Sequence, residues 1–199
     1  MTIVDNWNRI REHLDFSDPD KFYFIELMQR KKDDSSFPAN NRMVKYYFVQ
    51  SLEYYNRIED EVKKLSDATG ARAYILVNRR SYKKCVLNVL KDAAQMAIDS
   101  NYQHFPKLIS SVVGKFSDEK NKNWIVDLDE MNPDDAKDII QFIDHLEPFS
   151  DTSKVKWINS TLSGIHLITA PFNAQKFKIQ YPSIDIHKDN PTLLYFKKC

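Results

Sequence analysis

From residue 71 onward the chain alternates two kinds of pattern, and their order limits the fold more than any other feature. "ARAYILV" (71–77) is a continuous apolar run, as in a strand buried on both faces. Helical periodicity follows over about Ser81–Ser100, with Val86, Val89, Leu90, Ala93, Met96 and Ala97 on one face, and residues 105–116 predict another helix. "WIVDLD" (124–129) reads as a strand. "NPDDAKDIIQFIDHLEPF" reads as a helix with Asn132 as N-cap and Pro133 at its first position. "KVKWINST" and "GIHLITA" predict two strands joined by a tight turn at Ser163-Gly164. "NAQKFKIQY" predicts a short helix. "SIDIHKDNPTLLYF" closes the chain with one or two short strands around a turn at Asp189-Asn190-Pro191. Such an order predicts an α+β domain whose mixed or antiparallel sheet is covered by helices on at least one face.

The first 70 residues are expected to be mainly helical and to pack on the same core. Val44, Tyr47, Phe48, Leu52, Tyr55, Ile58, Val62 and Leu65 recur at spacings of three and four, which predicts a helix over Met43–Asp67, with Gly70 as its C-terminal cap. "DKFYFIELMQR" suits a buried strand or a helix, and "KKDDSSFPANN" is a loop by composition. The chain has no repeat and no convincing linker. Its 199 residues are read as one domain with a substantial core.

Composition removes several function classes. A net charge of +1 announces no polyanionic partner, although a local basic patch remains open. Three glycines exclude a glycine-rich phosphate loop, which needs several within one turn. Cys85 and Cys199 belong to no metal-binding spacing and read most simply as thiols in a reducing compartment, with a single disulfide as the other reading. No charged segment leads into an apolar one at the start, and no apolar run approaches membrane-spanning length. A cytoplasmic protein without membrane contact is the expectation. "KYYF" and "EYYNR" carry aromatics at helical spacing, which favours core packing over base stacking.

Three stretches carry candidate chemistry. Asp127 and Asp129 alternate at the end of "WIVDLDE" and would share a face, roughly 6 to 7 Å apart along the backbone. Two carboxylates there repel unless a cation or a proton intervenes, and their hard oxygens suit Mg²⁺ or Mn²⁺ with substrate phosphates. They equally suit the polar stop of a buried strand leading into a helix N-terminus. His166, in "TLSGIHLIT", alternates against Ile165 and Leu167. The small Ser163-Gly164 pair before it lets the backbone approach a ligand closely, and the imidazole can donate to a phosphate or pair with a core carbonyl. Asp185, in "PSIDIHKDN", lies between two isoleucines with His187 on the same face, and Asp189 competes with it from a turn context. "NRRSYKK" adds Arg79, Arg80, Lys83 and Lys84 at the start of a predicted helix, which is either a phosphate seat or a solvated basic turn.

In this order, "WIVDLDE", "LSGIHLIT" and "SIDIHKDN" resemble the motifs of the archaeo-eukaryotic primase superfamily. That superfamily includes replicative primases, primase-polymerases of plasmids and phages, and the polymerase domain of bacterial end-joining ligases. The resemblance covers roughly residues 70–199 and looks like the compact form encoded by phages and mobile elements. It implies a modified RRM-like catalytic core and a metal-dependent nucleotidyltransferase that initiates or extends a nucleic-acid strand. It implies Mg²⁺ or Mn²⁺ on Asp127, Asp129 and Asp185, with His166 on the phosphates of an incoming nucleotide triphosphate beside Ser163 and Gly164. Arg79, Arg80 and Lys83 would then meet template or nucleotide phosphate. A DNA or RNA template and a replicative helicase are the implied partners. The sequence departs from the pattern in lacking a zinc-binding cysteine cluster and in leaving the third carboxylate between Asp185 and Asp189. The alternative is the same fold retained without catalysis, holding nucleotide or single-stranded nucleic acid. A protein with no nucleic-acid role would not bring Asp127, Asp129, Asp185 and His166 together.

Overall fold

The computed structural model describes residues 2–31, 33, 41–115, 117 and 122–198. The chain runs β1 (Thr2–Asp5), α1 (Trp7–Arg11), β2 (Lys21–Arg30), β3 (Asn41–Val49), α2 (Leu52–Thr69), β4 (Arg72–Leu76), β5 (Arg80–Ser81), α3 (Tyr82–Ile98) and α4 (Leu108–Lys115). It continues through β6 (Trp124–Asp129), α5 (Lys137–Asp144), β7 (Val155–Ser160), β8 (Gly164–Thr169), α6 (Ala174–Gln180), β9 (Asp185–His187) and β10 (Pro191–Lys198). The strands form two antiparallel sheets, one ordered β1-β10-β4-β2-β3 with β5 beside β2, the other ordered β7-β8-β6-β9. The α+β expectation holds. No helix among the described residues is long and apolar enough to cross a membrane.

The first 70 residues depart from the expected helical pattern. Residues 41–49 are a strand, and the helix begins only at Leu52. In "KYYFV" Tyr47 and Val49 join the core under α2, while Tyr46 and Phe48 join the core under α3 and α4. A segment covered on both faces shows apolar residues at every position, so the spacings at 44, 47 and 48 mimic a helix. Ser51 then starts α2 by accepting from the Tyr54 N–H at 3.1 Å, and Gly70, at φ 63°, ends it in the left-handed region as expected.

The later elements follow the sequence more closely. α3 forms as expected, but its apolar face splits. Val89, Ala93 and Met96 pack against the core, whereas Val86 and Leu90 are more than half exposed. Asn132 does not cap α5. Its side chain accepts from the N–H groups of Asp134 and Asp135 in a turn, and α5 starts at Lys137. Phe116, Cys199 and most of the loop at 31–41 and the turn at 117–123 lie outside the described residues.

The second sheet has two unlike faces. Val126, Leu128, Ile165 and Leu167 point to α5 and α6 and form one core with Ile139, Ile143 and Phe177. The alternate residues point toward the first sheet: Ile125 and Ile168 meet Val77 at one end, and Asp127, Asp129 and His166 line a cleft at the other. Strand alternation alone produces this division. Asn6 staples the two sheets, donating to the carbonyls of Ser160 (2.8 Å) and Leu193 (2.9 Å) and accepting from the Ser160 N–H (3.0 Å).

Candidate functional site

Asp127 sits at the centre of three strands. Across β6–β8 it pairs with His166, and across β6–β9 it pairs with Asp185. Residues paired in an antiparallel ladder share a face, so three polar groups from distant segments stand side by side. Asp129 lies two residues further along the same face. The four residues anticipated from sequence are brought to one place.

Two of the contacts here are loose. His166 Nε2 is 3.4 Å from Asp127 Oδ1, and Lys178 Nζ is 3.4 Å from Asp185 Oδ1, both beyond an ordinary charge-assisted hydrogen bond. Ser163 Oγ donates to Asp129 Oδ1 at 3.0 Å. Asp127, Asp129 and Asp185 together line a hollow of about 230 Å³ on one side of β6. On the other side, Asp127, Asp129, Ser163 and His166 form one wall of a cleft of about 440 Å³ between the sheets. Among the described residues no three His, Cys, Asp or Glu side chains converge closely enough to hold a metal by themselves. A hard divalent ion nevertheless needs only one or two carboxylates when substrate phosphates supply the rest, and Asp127 with Asp129 fits that donor set.

Backbone geometry explains the small residues before His166. A Cβ on Gly164 would lie 2.1 Å from the Leu128 carbonyl oxygen, so a side chain there would force β8 away from β6. The close approach that requires glycine here is to the neighbouring strand β6. The Gly164 N–H donates to Thr161 Oγ1 at 3.0 Å, and the Glu130 N–H donates to the Ser163 carbonyl at 2.6 Å. Glu130 itself adopts φ 60°, which turns the chain sharply out of the strand immediately after Asp129.

The competition for the third carboxylate resolves in geometry. Asp189 accepts from Asn78 Nδ2 and from Arg80, both at 3.1 Å, at the opposite end of β6. Asp185 stands exposed beside Asp127.

The basic turn departs from its expected role. Arg80 is fully buried and donates to the carbonyls of Val113 and Asn78, each at 2.7 Å, besides Asp189. Arg79 pairs with Asp15 at 2.8 Å. Asp15 is held below the usual carboxylate range, first by its hydrogen bonds with Ser17 and to a lesser degree by Arg79. The anion seat at the start of α3 is already filled, because Asp20 accepts from the Lys83 N–H at 3.0 Å and bonds the Ser81 hydroxyl. Those bonds, Ser81 first, hold the Asp20 carboxyl below its ordinary range. Arg79, Arg80 and Lys83 thus do not line the cleft. Intramolecular carboxylates compete with any phosphate there, and a seven-residue sequence window contains none of them.

The cleft has a different basic wall, which the sequence reading missed. Arg30 on β2 and Arg72 and Tyr74 on β4 face the carboxylates. Arg72 is forked onto Asp33. Arg30 Nη1 donates to Tyr74 Oη at 3.0 Å and meets no carboxylate among the described residues. The available signal was alternation in "ELMQR" and "RAY", which puts Met28 and Arg30, and Arg72 and Tyr74, on one face of each strand. Comparison with family models, curated proteins and solved structures found no match to this chain.

Proposed function

We propose that the protein is a metal-dependent nucleotidyltransferase of primase-polymerase type. The observation that carries the reading is the register around Asp127, which stands between His166 and Asp185 on one sheet face with Asp129 beyond it. The succession β6-α5-β7-β8-α6-β9 with strand order β7-β8-β6-β9 adds support, since it is the β-α-β-β-α-β arrangement of split-βαβ folds, to which RRM-like cores belong.

In this reading Asp127 and Asp129 hold Mg²⁺ or Mn²⁺, and Asp185 joins them by turning from Lys178. An ion held there would supply charge neutralisation at the α-phosphate as a strand's hydroxyl attacks in line and pyrophosphate leaves. His166 presents Nε2 to a phosphate oxygen of the nucleotide triphosphate, and the Ser163 hydroxyl lies alongside. Arg30 takes phosphate charge from the facing wall, the role sequence had given to Arg79 and Arg80. A DNA or RNA template enters the same cleft, and a replicative helicase is a candidate for recruitment.

The test is primer synthesis and extension by the purified chain with Mg²⁺ or Mn²⁺. Extension that disappears on Asp127→Asn with Asp129→Asn supports the reading; extension that survives both substitutions overturns it. A second reading, nucleotide or single-strand binding without catalysis, is favoured by the carboxylates not converging on a metal-holding geometry. It predicts salt-sensitive binding that weakens on Arg30→Ala and is indifferent to the aspartates, with no extension by any form.

A further inference from the structure

We propose that Thr192 and Asn159 are positioning residues that fix the ring and tautomer of His166, so that Nε2 carries the proton and faces the cleft. The functional consequence rests on the reading above; the geometry stands apart from it. The Asn159 side chain is fully buried on β7, directly paired with His166. Its Nδ2 lies 3.2 Å from Thr192 Oγ1, and Thr192 Oγ1 lies 2.9 Å from His166 Nδ1. Thr192 is also fully buried, and it belongs to β10 of the other sheet.

The direction of the chain follows from counting protons. An amide nitrogen only donates, so Asn159 Nδ2–H points to Thr192 Oγ1. The buried threonine hydroxyl needs an acceptor for its own proton, and His166 Nδ1 at 2.9 Å is the one at hand, so Nδ1 accepts. A neutral imidazole accepting at Nδ1 carries its proton on Nε2. The other end of the ring agrees, since the Asp127 carboxylate, 3.4 Å from Nε2, accepts when ionised. The opposite polarity, with Nδ1–H donating to Oγ1, would occupy the second lone pair of the hydroxyl and leave the buried Thr192 proton without an acceptor among the described residues. As it stands, Asn159 leaves one acceptor, Oδ1, without a partner among the described residues. Turned over, it would strand two N–H donors instead.

The arrangement gives the cleft a donor whose direction is set from behind. The 3.4 Å contact to Asp127 commits the Nε2–H weakly, which leaves it able to meet a phosphate oxygen. Because Thr192 is anchored on the first sheet, the ring is also held to the wall that carries Arg30. A displacement of one sheet against the other would release it.

The test is nitrogen NMR of the full chain with labelled histidine, in wild type, Thr192→Val and Thr192→Ser. The expected wild-type pattern is a protonated Nε2, an unprotonated Nδ1, and a slowly exchanging Thr192 hydroxyl proton correlated with Nδ1. Thr192→Val, nearly isosteric, should abolish the hydroxyl correlation and shift Nδ1, and Thr192→Ser should restore both. A protonated Nδ1 in the neutral wild-type ring, or an Nδ1 signal unchanged by Thr192→Val, overturns the proposal. A second readout is binding of ATP with Mg²⁺, expected to weaken about tenfold in Thr192→Val and to recover within about threefold in Thr192→Ser, as for other residues that orient a ligating histidine. Wild type that shows the NMR pattern but binds no ATP refutes the nucleotide reading and leaves the positioning role standing. Thr192→Val that binds ATP as tightly as wild type removes that role from ligand binding.

Discussion

The two ends of β6 each hold a group of polar residues, in different conditions. At the Asn123 end, Arg80, Asn78, Asn123 and Asp189 are joined by bonds of 2.6 to 3.1 Å, with Arg80 and Asn78 buried. At the Asp129 end, the His166–Asp127 and Lys178–Asp185 contacts are 3.4 Å long and border open space, while His166 is held from behind by Thr192 at 2.9 Å. A densely bonded polar cluster is a fastener: most of its groups are already committed, and breaking one bond strands others. A cluster with long contacts beside open space can rearrange around something that arrives later. Both carry aspartate, and the density of bonds separates structure from candidate chemistry.

The largest effect that would break this contrast lies at the open end. Asp127→Asn with Asp129→Asn should cut strand extension at least about a thousandfold, equivalent to roughly 4 kcal/mol of barrier. The same double variant should leave urea unfolding within about 1 kcal/mol of wild type. If it instead unfolds the protein, the open end is a fastener too.

The closed end should behave the other way. Arg80→Met removes a buried guanidinium and strands the carbonyls of Val113 and Asn78, at a cost of about 3 kcal/mol in denaturant unfolding. Asp189→Asn should cost less but in the same assay, whereas Asp185→Asn should spare stability and lower extension. Equal effects of the two aspartates would erase the distinction between them.

Gly164→Ala probes the join between them. The added Cβ has no room beside the Leu128 carbonyl, so β8 must move, at about 2 kcal/mol of overpacking. Thermal unfolding measures it, and an unchanged midpoint would mean that the strand spacing at Asp129 is slack. A smaller effect comes from Glu26, half-buried on β2, where burial raises its carboxyl above the ordinary range. A raised folded-state value means the folded chain binds the proton more tightly, so stability falls as pH rises from the ordinary carboxylate value through the raised one. Glu26→Gln should therefore add about 0.5 to 1 kcal/mol at pH 7 and nothing at pH 3, read from paired urea titrations.

Much of the second sheet was legible in the chain. "WIVDLD" and "GIHLIT" alternate core-facing and cleft-facing residues, and alternation dictates that Asp127, Asp129 and His166 leave the apolar side. The first sheet was less legible. β3 is covered on both sides, so its apolar spacing mimicked a helix, and the basic wall at Arg30 and Arg72 comes from two strands that no local window joins.

The sequence by itself determined the order of elements after residue 71, the polar face of β6 and β8, and the residue types able to bind a divalent cation. Local propensity and strand periodicity are properties of neighbouring residues, so they survive in one dimension. Only the tertiary structure decided that Asp185 and not Asp189 stands beside Asp127, that Arg79 and Arg80 are engaged elsewhere, and that Thr192 lies behind His166. Each of those depends on which distant groups compete for the same hydrogen bond, and that competition exists only once the two sheets have met.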